Sequence, residues 1–276
     1  MIRLLSTDFD GTLVDHDAKP PVTPELYEII TELRRWGVLW AINTGRDLDF
    51  IQHGLQEYRF PMEPDFILTN EREIFHRNPQ GRWQDYGDWN RRCVEVHDQL
   101  FQTEQKLLET MLAFVTRDET AKPLYENGQL VGVITQDDAA MDRVVDFLHA
   151  ERAPDSLFHY QRNTIFLRFC HAHYSKGAAL GELCRLTGIT AAETFTAGDH
   201  HNDLSMLDGR FARWPVAPSN AIEEVKETVR AAGGYIANRR CSEGVVEALR
   251  YFFEHHRLAP EGFRAEEDRA PDTIHS

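Results

Sequence analysis

Four short segments hold side chains that could do chemistry together. They are Asp8-Phe9-Asp10-Gly11-Thr12, Asn43-Thr44-Gly45-Arg46, Ser175-Lys176-Gly177 and Gly198-Asp199-His200-His201-Asn202-Asp203. They supply several carboxylates, a lysine, a hydroxyl and glycines that bare backbone N–H groups. Carboxylates gathered without compensation repel one another and raise each other's pKa. A divalent cation removes that conflict, and Mg2+ in particular takes oxygen ligands and bridges one or two carboxylates to a phosphate. Each segment alone has a duller reading: a turn for Asp-x-Asp or Thr-Gly, a capped helix with a solvated lysine for Ser-Lys-Gly. Their joint occurrence, each at a strand end or helix start, is what points to one site.

The elements that must position them alternate. Ile2–Thr7 reads as a buried strand running into the first segment. Thr23 and Pro24 open a helix with an apolar stripe of Leu26, Ile29, Ile30 and Leu33, stopped by Gly37. Val38–Ile42 is a second strand, Asp47 opens a short helix, and Phe66–Leu68 is a third strand. A hairpin around Asn78-Pro79-Gln80-Gly81 follows. One long amphipathic helix is expected from Trp89 to Phe114, then a strand over 130–135, a helix over 138–151 and strands over 157–160 and 164–169, with a turn at Arg162-Asn163. The alternation then resumes: a helix capped by Ser175, a strand over 194–197, a short helix with Leu204, Met206 and Leu207, a strand at Trp214-Pro215-Val216, a helix capped by Ser219, and a last helix from Gly244 to Phe253. The pattern predicts an α/β protein with a Rossmann-like parallel-sheet core, 1–78 and 172–254, interrupted by an inserted α+β cap domain over 79–171 and followed by a polar tail, 255–276.

The motifs together resemble the haloacid-dehalogenase-like superfamily, and within it the Cof-like branch, in which an α/β cap stands between the second and third motifs. Asp8 to Thr12 match its first motif, Thr44-Gly45-Arg46 the second, Lys176 the third and Gly198 to Asp203 the fourth. The stretch Glu71-Arg72-Glu73-Ile74 departs from the Gly that usually follows the asparagine in Cof-like proteins. It looks closer to sucrose-phosphate-phosphatase relatives, as do Trp83 and Trp89. The resemblance implies a Mg2+-dependent phosphatase acting through an aspartyl-phosphate. Asp8 would be the nucleophile, and Asp10 would protonate the leaving alkoxide and then deprotonate water. Mg2+ would be held by Asp8, the Asp10 main-chain carbonyl and Asp199, with Asp203 and Asn202 in support. Thr44, Gly45, Lys176 and Asn202 would bind the phosphoryl oxygens. Arg46, Arg162, His171 and His200 are candidates for substrate contact, although a structural ion pair for Arg46 and a solvated cap face for Arg162 read at least as well. His200-His201 and His171/His173 lack the further ligands that a zinc site needs. Trp83 and Trp89 read as cap core.

Composition narrows the partners. Of 276 residues, 30 are Lys or Arg and 45 Asp or Glu, a net charge of −15 that repels nucleic acid and anionic membrane surfaces. No apolar run reaches the ~18 residues of a membrane helix, and Asp8 interrupts any signal-peptide core. Cys93, Cys170, Cys184 and Cys241 are scattered and read as reduced, mostly buried thiols of a cytoplasmic protein. The expected substrate is a small phosphorylated metabolite, a sugar phosphate or related polyol ester. Two rivals stay open: a phosphotransferase or mutase using the same intermediate, and a catalytically idle phospholigand-binding protein.

Overall fold

A computed structural model describes residues 1–256 and 258. The first half of the core sheet comes from β1 (Leu4–Thr7), β2 (Leu39–Asn43), β3 (Phe66–Thr69), β4 (Glu73–Arg77) and β5 (Trp83–Asp85). Between the first three run α1 (Pro24–Arg35) and α2 (Leu48–Glu57). The second half follows a long excursion: α6 (Lys176–Thr187), β10 (Thr194–Ala197), α7 (Leu204–Leu207), β11 (Trp214–Ala217), α8 (Glu223–Ala231), β12 (Tyr235–Ile236) and α9 (Cys241–His256). Strand order among the described residues is β12-β11-β10-β1-β2-β3-β4-β5. The pairs from β12 through β3 are parallel, and β4 and β5 add an antiparallel edge. β1, β3 and β10 are buried along their whole length, as expected of strands covered by helices on both faces. Two apolar clusters fill those faces, one around Trp40, Phe9 and Phe195, the other around Leu4, Leu180 and Leu207.

The excursion builds a second sheet. It contains α3 (Trp89–Thr103), α4 (Gln105–Val115), β6 (Ala121–Glu126), β7 (Gln129–Thr135), α5 (Asp138–Glu151), β8 (Phe158–Asn163) and β9 (Phe166–His171), with antiparallel strand order β6-β7-β9-β8. Helices cover one face: Leu100, Met111, Val144 and Leu148 pack with Val133, Phe158, Leu167 and Phe169. Strand alternation puts Gln161, Arg168 and Cys170 on the opposite face. No described helix is long and apolar enough to cross a membrane.

Several expectations need correction. The insertion was expected to begin at residue 79, yet β5 is hydrogen-bonded to β4 as the edge of the core sheet. Trp83 and Trp89 pack against the core clusters rather than the cap interior. The single long helix is two, broken at Glu104. β6 was not anticipated, because its Lys122, Pro123 and Glu126 disguise an edge strand. The β8–β9 turn falls at Thr164, which takes φ +51°, leaving Arg162 and Asn163 inside β8. The N-cap of α8 is Ile222, not Ser219. His255 and His256 finish α9, and the rest of the expected tail, apart from Leu258, lies outside the described residues. All four cysteines are free and buried, as read from their spacing.

Candidate active site

The parallel strands β1, β2 and β10 end side by side, and the motif residues emerge there. Asp8 leaves β1 with its N–H on the Ala197 carbonyl at 2.9 Å. The turn after it must run close to the neighbouring loop. Gly11 has φ +75°, and a Cβ there would lie 2.4 Å from the Asp199 Oδ2. Thr12 donates its hydroxyl to the Asp199 Oδ1 at 2.8 Å, tying the first and fourth motifs together. Asp203 receives the Asp199 and His200 N–H groups on one oxygen, at 2.8 and 3.0 Å.

Lys176 opens α6, whose Ser175 cap accepts the Ala178 N–H. This helix crosses the α7 region so tightly that a Cβ on Gly177 would lie 2.0 Å from the Ser205 carbonyl oxygen. The close approach drives the lysine inward. Its side chain is wholly buried, and Nζ donates to Asp8 Oδ1 and Asp203 Oδ1, both at 2.7 Å. Burial opposes the ammonium charge, but Asp203, Asp8 and Glu71 outweigh it and hold the lysine charged well above its usual range.

Asp8, Asp199 and Asp203 bring one oxygen each to within 4.8 Å of one another. Burial, with the repulsion of Asp203 and Asp199, pushes the Asp8 carboxyl well above the usual carboxylate value despite Lys176. Burial and Asp203 push Asp199 up to about 7. A single lysine therefore does not neutralise this group of acids. A hard divalent cation with oxygen ligands fits both the donor chemistry and the missing charge.

The other expected residues fall into place unevenly. The Asp10 carboxylate points away from the acidic cluster into a bidentate pair with Arg46, Nε and Nη2 at 2.7 and 2.6 Å. His16 shares one of its oxygens at 2.9 Å and in turn meets the Tyr58 hydroxyl. Arg46 is thus an ion-pair former, and neither His16 nor Tyr58 was singled out in the sequence. Thr44 is buried, its hydroxyl accepting the Arg46 N–H. Gly45 lies against Glu71, where a Cβ would come 3.2 Å from Oε1. Asn202 donates its amide to that same oxygen at 2.8 Å. Glu71 is buried at φ +63° and links the second motif to the fourth. Burial raises its pKa, with Lys176 and Asn202 pulling the other way. The departure at Glu71 was visible in the sequence, but its role was not.

The cap candidates do not join the cluster in the same way. Arg162 is committed to Asp138 and Asp142 of α5 and to the Thr164 carbonyl. His171 packs with His97, His173 and Tyr174 where the chain returns to the core. Its N–H donates to His97 Nε2, and its own Nδ1 accepts the His173 N–H. His200 does bridge cap and core, with its ring 3.4 Å from the Thr164 nitrogen. Burial lowers its pKa to about 4, so it meets the cap as a neutral ring.

A parallel α/β core with this acid–lysine cluster at its strand ends and an inserted sheet above it defines a haloacid-dehalogenase-type phosphatase, a phosphoric monoester hydrolase. More narrowly, the chain belongs to the sucrose-6F-phosphate phosphohydrolase family, whose profile matches residues 1–253. Among similar proteins, a mannosylfructose-phosphate phosphatase from Agrobacterium fabrum is 26% identical over 91% of this chain and 97% of its own. The sucrose-phosphatase of Synechocystis, solved with sucrose and phosphate, superposes with a TM-score of 0.67 at 22% identity, covering 91% of this chain and 98% of that one. A haloacid dehalogenase-like hydrolase from Bacteroides thetaiotaomicron gives 0.58 at 22% identity, covering 92% and 100%.

Proposed function

We propose that the protein hydrolyses the phosphate monoester of a sugar or related polyol with Mg2+, through a phosphoryl group carried on Asp8. The observation that carries this reading is the cluster itself: a buried carboxylate gripped by Lys176 at 2.7 Å, with Asp199 and Asp203 beside it. The A. fabrum relative, named for a phosphorylated disaccharide, supports the substrate class. Asp8, Asp199 and Asp203 would hold the metal together with the Asp10 main-chain carbonyl. When bound, Mg2+ supplies charge neutralisation for the phosphoryl oxygens and for the carboxylates that face them.

A free Asp8 oxygen forms a bond to phosphorus as the ester P–O bond breaks. Lys176 aims Asp8 and favours its ionised form, and Thr44, the Gly45 N–H and Asn202 steady the phosphoryl oxygens. Asp10 gives its proton to the departing alkoxide and then takes one from the water that opens the acyl-phosphate. To do so Asp10 turns out of the Arg46 grip, and its side chain, 32% exposed, has room to move. The cap sheet closes over the leaving group and keeps bulk water from the first step.

The test is phosphate release from a panel of sugar phosphates with Mg2+ or with chelator, using wild type and Asp8→Asn together. Release that needs both Mg2+ and Asp8 is the expected result. Turnover by Asp8→Asn at near wild-type rate, or phosphate appearing on an added acceptor instead of in solution, would overturn it.

A further inference from the structure

Asn220, in the segment between β11 and α8, reaches across the chain to the first motif. Its Nδ2 donates to the Gly11 carbonyl at 2.8 Å, and its Oδ1 accepts the Cys241 N–H at 2.9 Å. Both partners are main-chain groups of fixed polarity, one acceptor and one donor. The amide therefore sits one way round, and an ionised carboxylate, which only accepts, cannot replace it. Cys241 opens α9 at φ +44°, a state that residues with a Cβ rarely adopt, and its Sγ lies 3.5 Å from the same oxygen. The anchor is firm. α9 has 16 residues and packs Val245, Ala248, Leu249 and Phe252 into the core around Trp40.

What is anchored is the turn that aims Asp199. The Gly11 carbonyl belongs to the peptide leading into Thr12, and the buried Thr12 hydroxyl donates to Asp199 Oδ1 at 2.8 Å. Turning that peptide carries Thr12 with it. Gly11 has no slack either, since a Cβ there would lie 2.4 Å from Asp199 Oδ2. The Asp199 main chain is held from the same segment, its carbonyl accepting the Ile222 N–H at 3.0 Å. One short stretch, 220–222, thus fixes both the Gly11 turn and the loop that carries Asp199. Among the described residues, the hydrogen bonds of the Asn220 side chain go only to Gly11 and Cys241.

We propose that Asn220 is a positioning residue for the metal site: by holding the Gly11–Thr12 peptide it fixes the hydroxyl that orients Asp199. This rests on the Mg2+-dependent phosphatase reading above and extends it to a residue outside the four motifs. Side chains that orient metal-binding groups govern metal affinity strongly, so loss of the contact weakens Mg2+ and leaves ester recognition alone.

The experiment titrates the full-length protein with Mg2+ by calorimetry at pH 8. It compares wild type with Asn220→Asp, Asn220→Ser, Thr12→Val and the Asn220→Ser/Thr12→Val double variant. Asn220→Asp keeps the shape and sets a carboxylate against the Gly11 carbonyl; Asn220→Ser, the milder change, carries the test if that variant does not fold. Each single variant should weaken Mg2+ binding by about fivefold or more. The double variant should fall no more than about threefold below the poorer single one, because both act in series on one carboxylate. Ser242→Ala is the control. Its hydroxyl accepts the Thr23 N–H beside the same helix start, so its loss should lower the melting temperature without moving Mg2+ affinity. With p-nitrophenyl phosphate, the Asn220 variants should need about fivefold more Mg2+ or above for half activity, while KM for the ester stays within about twofold. A smaller change in Mg2+ binding, losses that multiply in the double variant, or an equal loss in Ser242→Ala would overturn the assignment. Wild type that binds no Mg2+ removes it too. If wild type binds Mg2+ but shows no Mg2+-dependent phosphate release, the phosphatase reading has failed, and the calorimetry alone still decides the role of Asn220.

Discussion

Replacing Lys176 with methionine removes the one cation that bonds directly to Asp8 and Asp203. Methionine fills much of the volume, so the change is chiefly one of charge. The two lost contacts are each 2.7 Å, and the three side chains are 0%, 7% and 0% exposed. Asp8, Asp199 and Asp203 are left facing one another with no ammonium among them. Breaking a buried pair by deleting one partner costs about 3–5 kcal/mol. For a chain of this size that corresponds to a fall of roughly 6–20 °C in melting temperature. The cost depends on pH in a definite direction. Asp199 is raised to about 7 even with Lys176 present. Without the lysine the acids hold protons to still higher pH, so the native state binds more protons than the unfolded state and stability falls as pH rises. The deficit relative to wild type should therefore be largest near pH 8 in chelator and smaller near pH 5, and Mg2+ should restore part of it. Circular dichroism melts at the two pH values, with and without metal, read this directly. A variant melting within about 2 °C of wild type under all conditions would show that no buried acid cluster depends on Lys176.

Other outcomes follow from the same geometry. The rise in melting temperature produced by Mg2+ on wild type should grow from pH 5 to pH 8, because the raised Asp8 and Asp199 carboxyls must lose protons before they bind metal. An increment that shrank over this range in a fluorimetric melt would contradict it. Gly177→Ala should lower activity and cost about 1–3 kcal/mol or more in urea unfolding, since the Ser205 backbone cannot yield easily to a new methyl. Asp10→Asn should cut turnover by about 10²–10⁴-fold while leaving Mg2+ affinity, measured by calorimetry, nearly unchanged. Its carboxylate faces Arg46 rather than the metal-side acids.

Much of the core was legible because local and global signals agree there. β1, β2, β3 and β10 are short apolar runs ending in Asp, Asn or Gly, and α2, α5 and α6 begin at Asp47, Asp137 and Ser175, whose side chains accept the capping N–H groups. The acid–lysine cluster was legible for the same reason, since each member stands at such a boundary. What escaped the sequence depends on long-range packing. No local pattern tells that the Trp83–Asp85 segment joins β4 in the core sheet, or that Pro123 sits in a strand. The engagement of Asp10 by Arg46, and of Glu71 by Asn202, joins residues far apart in the chain. Arg162 looked available because its partners Asp138 and Asp142 lie a full helix away.

The account turns on Asp8 carrying the phosphoryl group. Mixing the enzyme with Mg2+ and a turned-over sugar phosphate, quenching in acid within the turnover time, and mapping the peptides by mass should find a phosphorylated peptide containing Asp8. That signal should vanish in Asp8→Asn and increase in Asp10→Asn. Phosphate release that proceeds with no phosphoryl group on Asp8 in any of these proteins would contradict it.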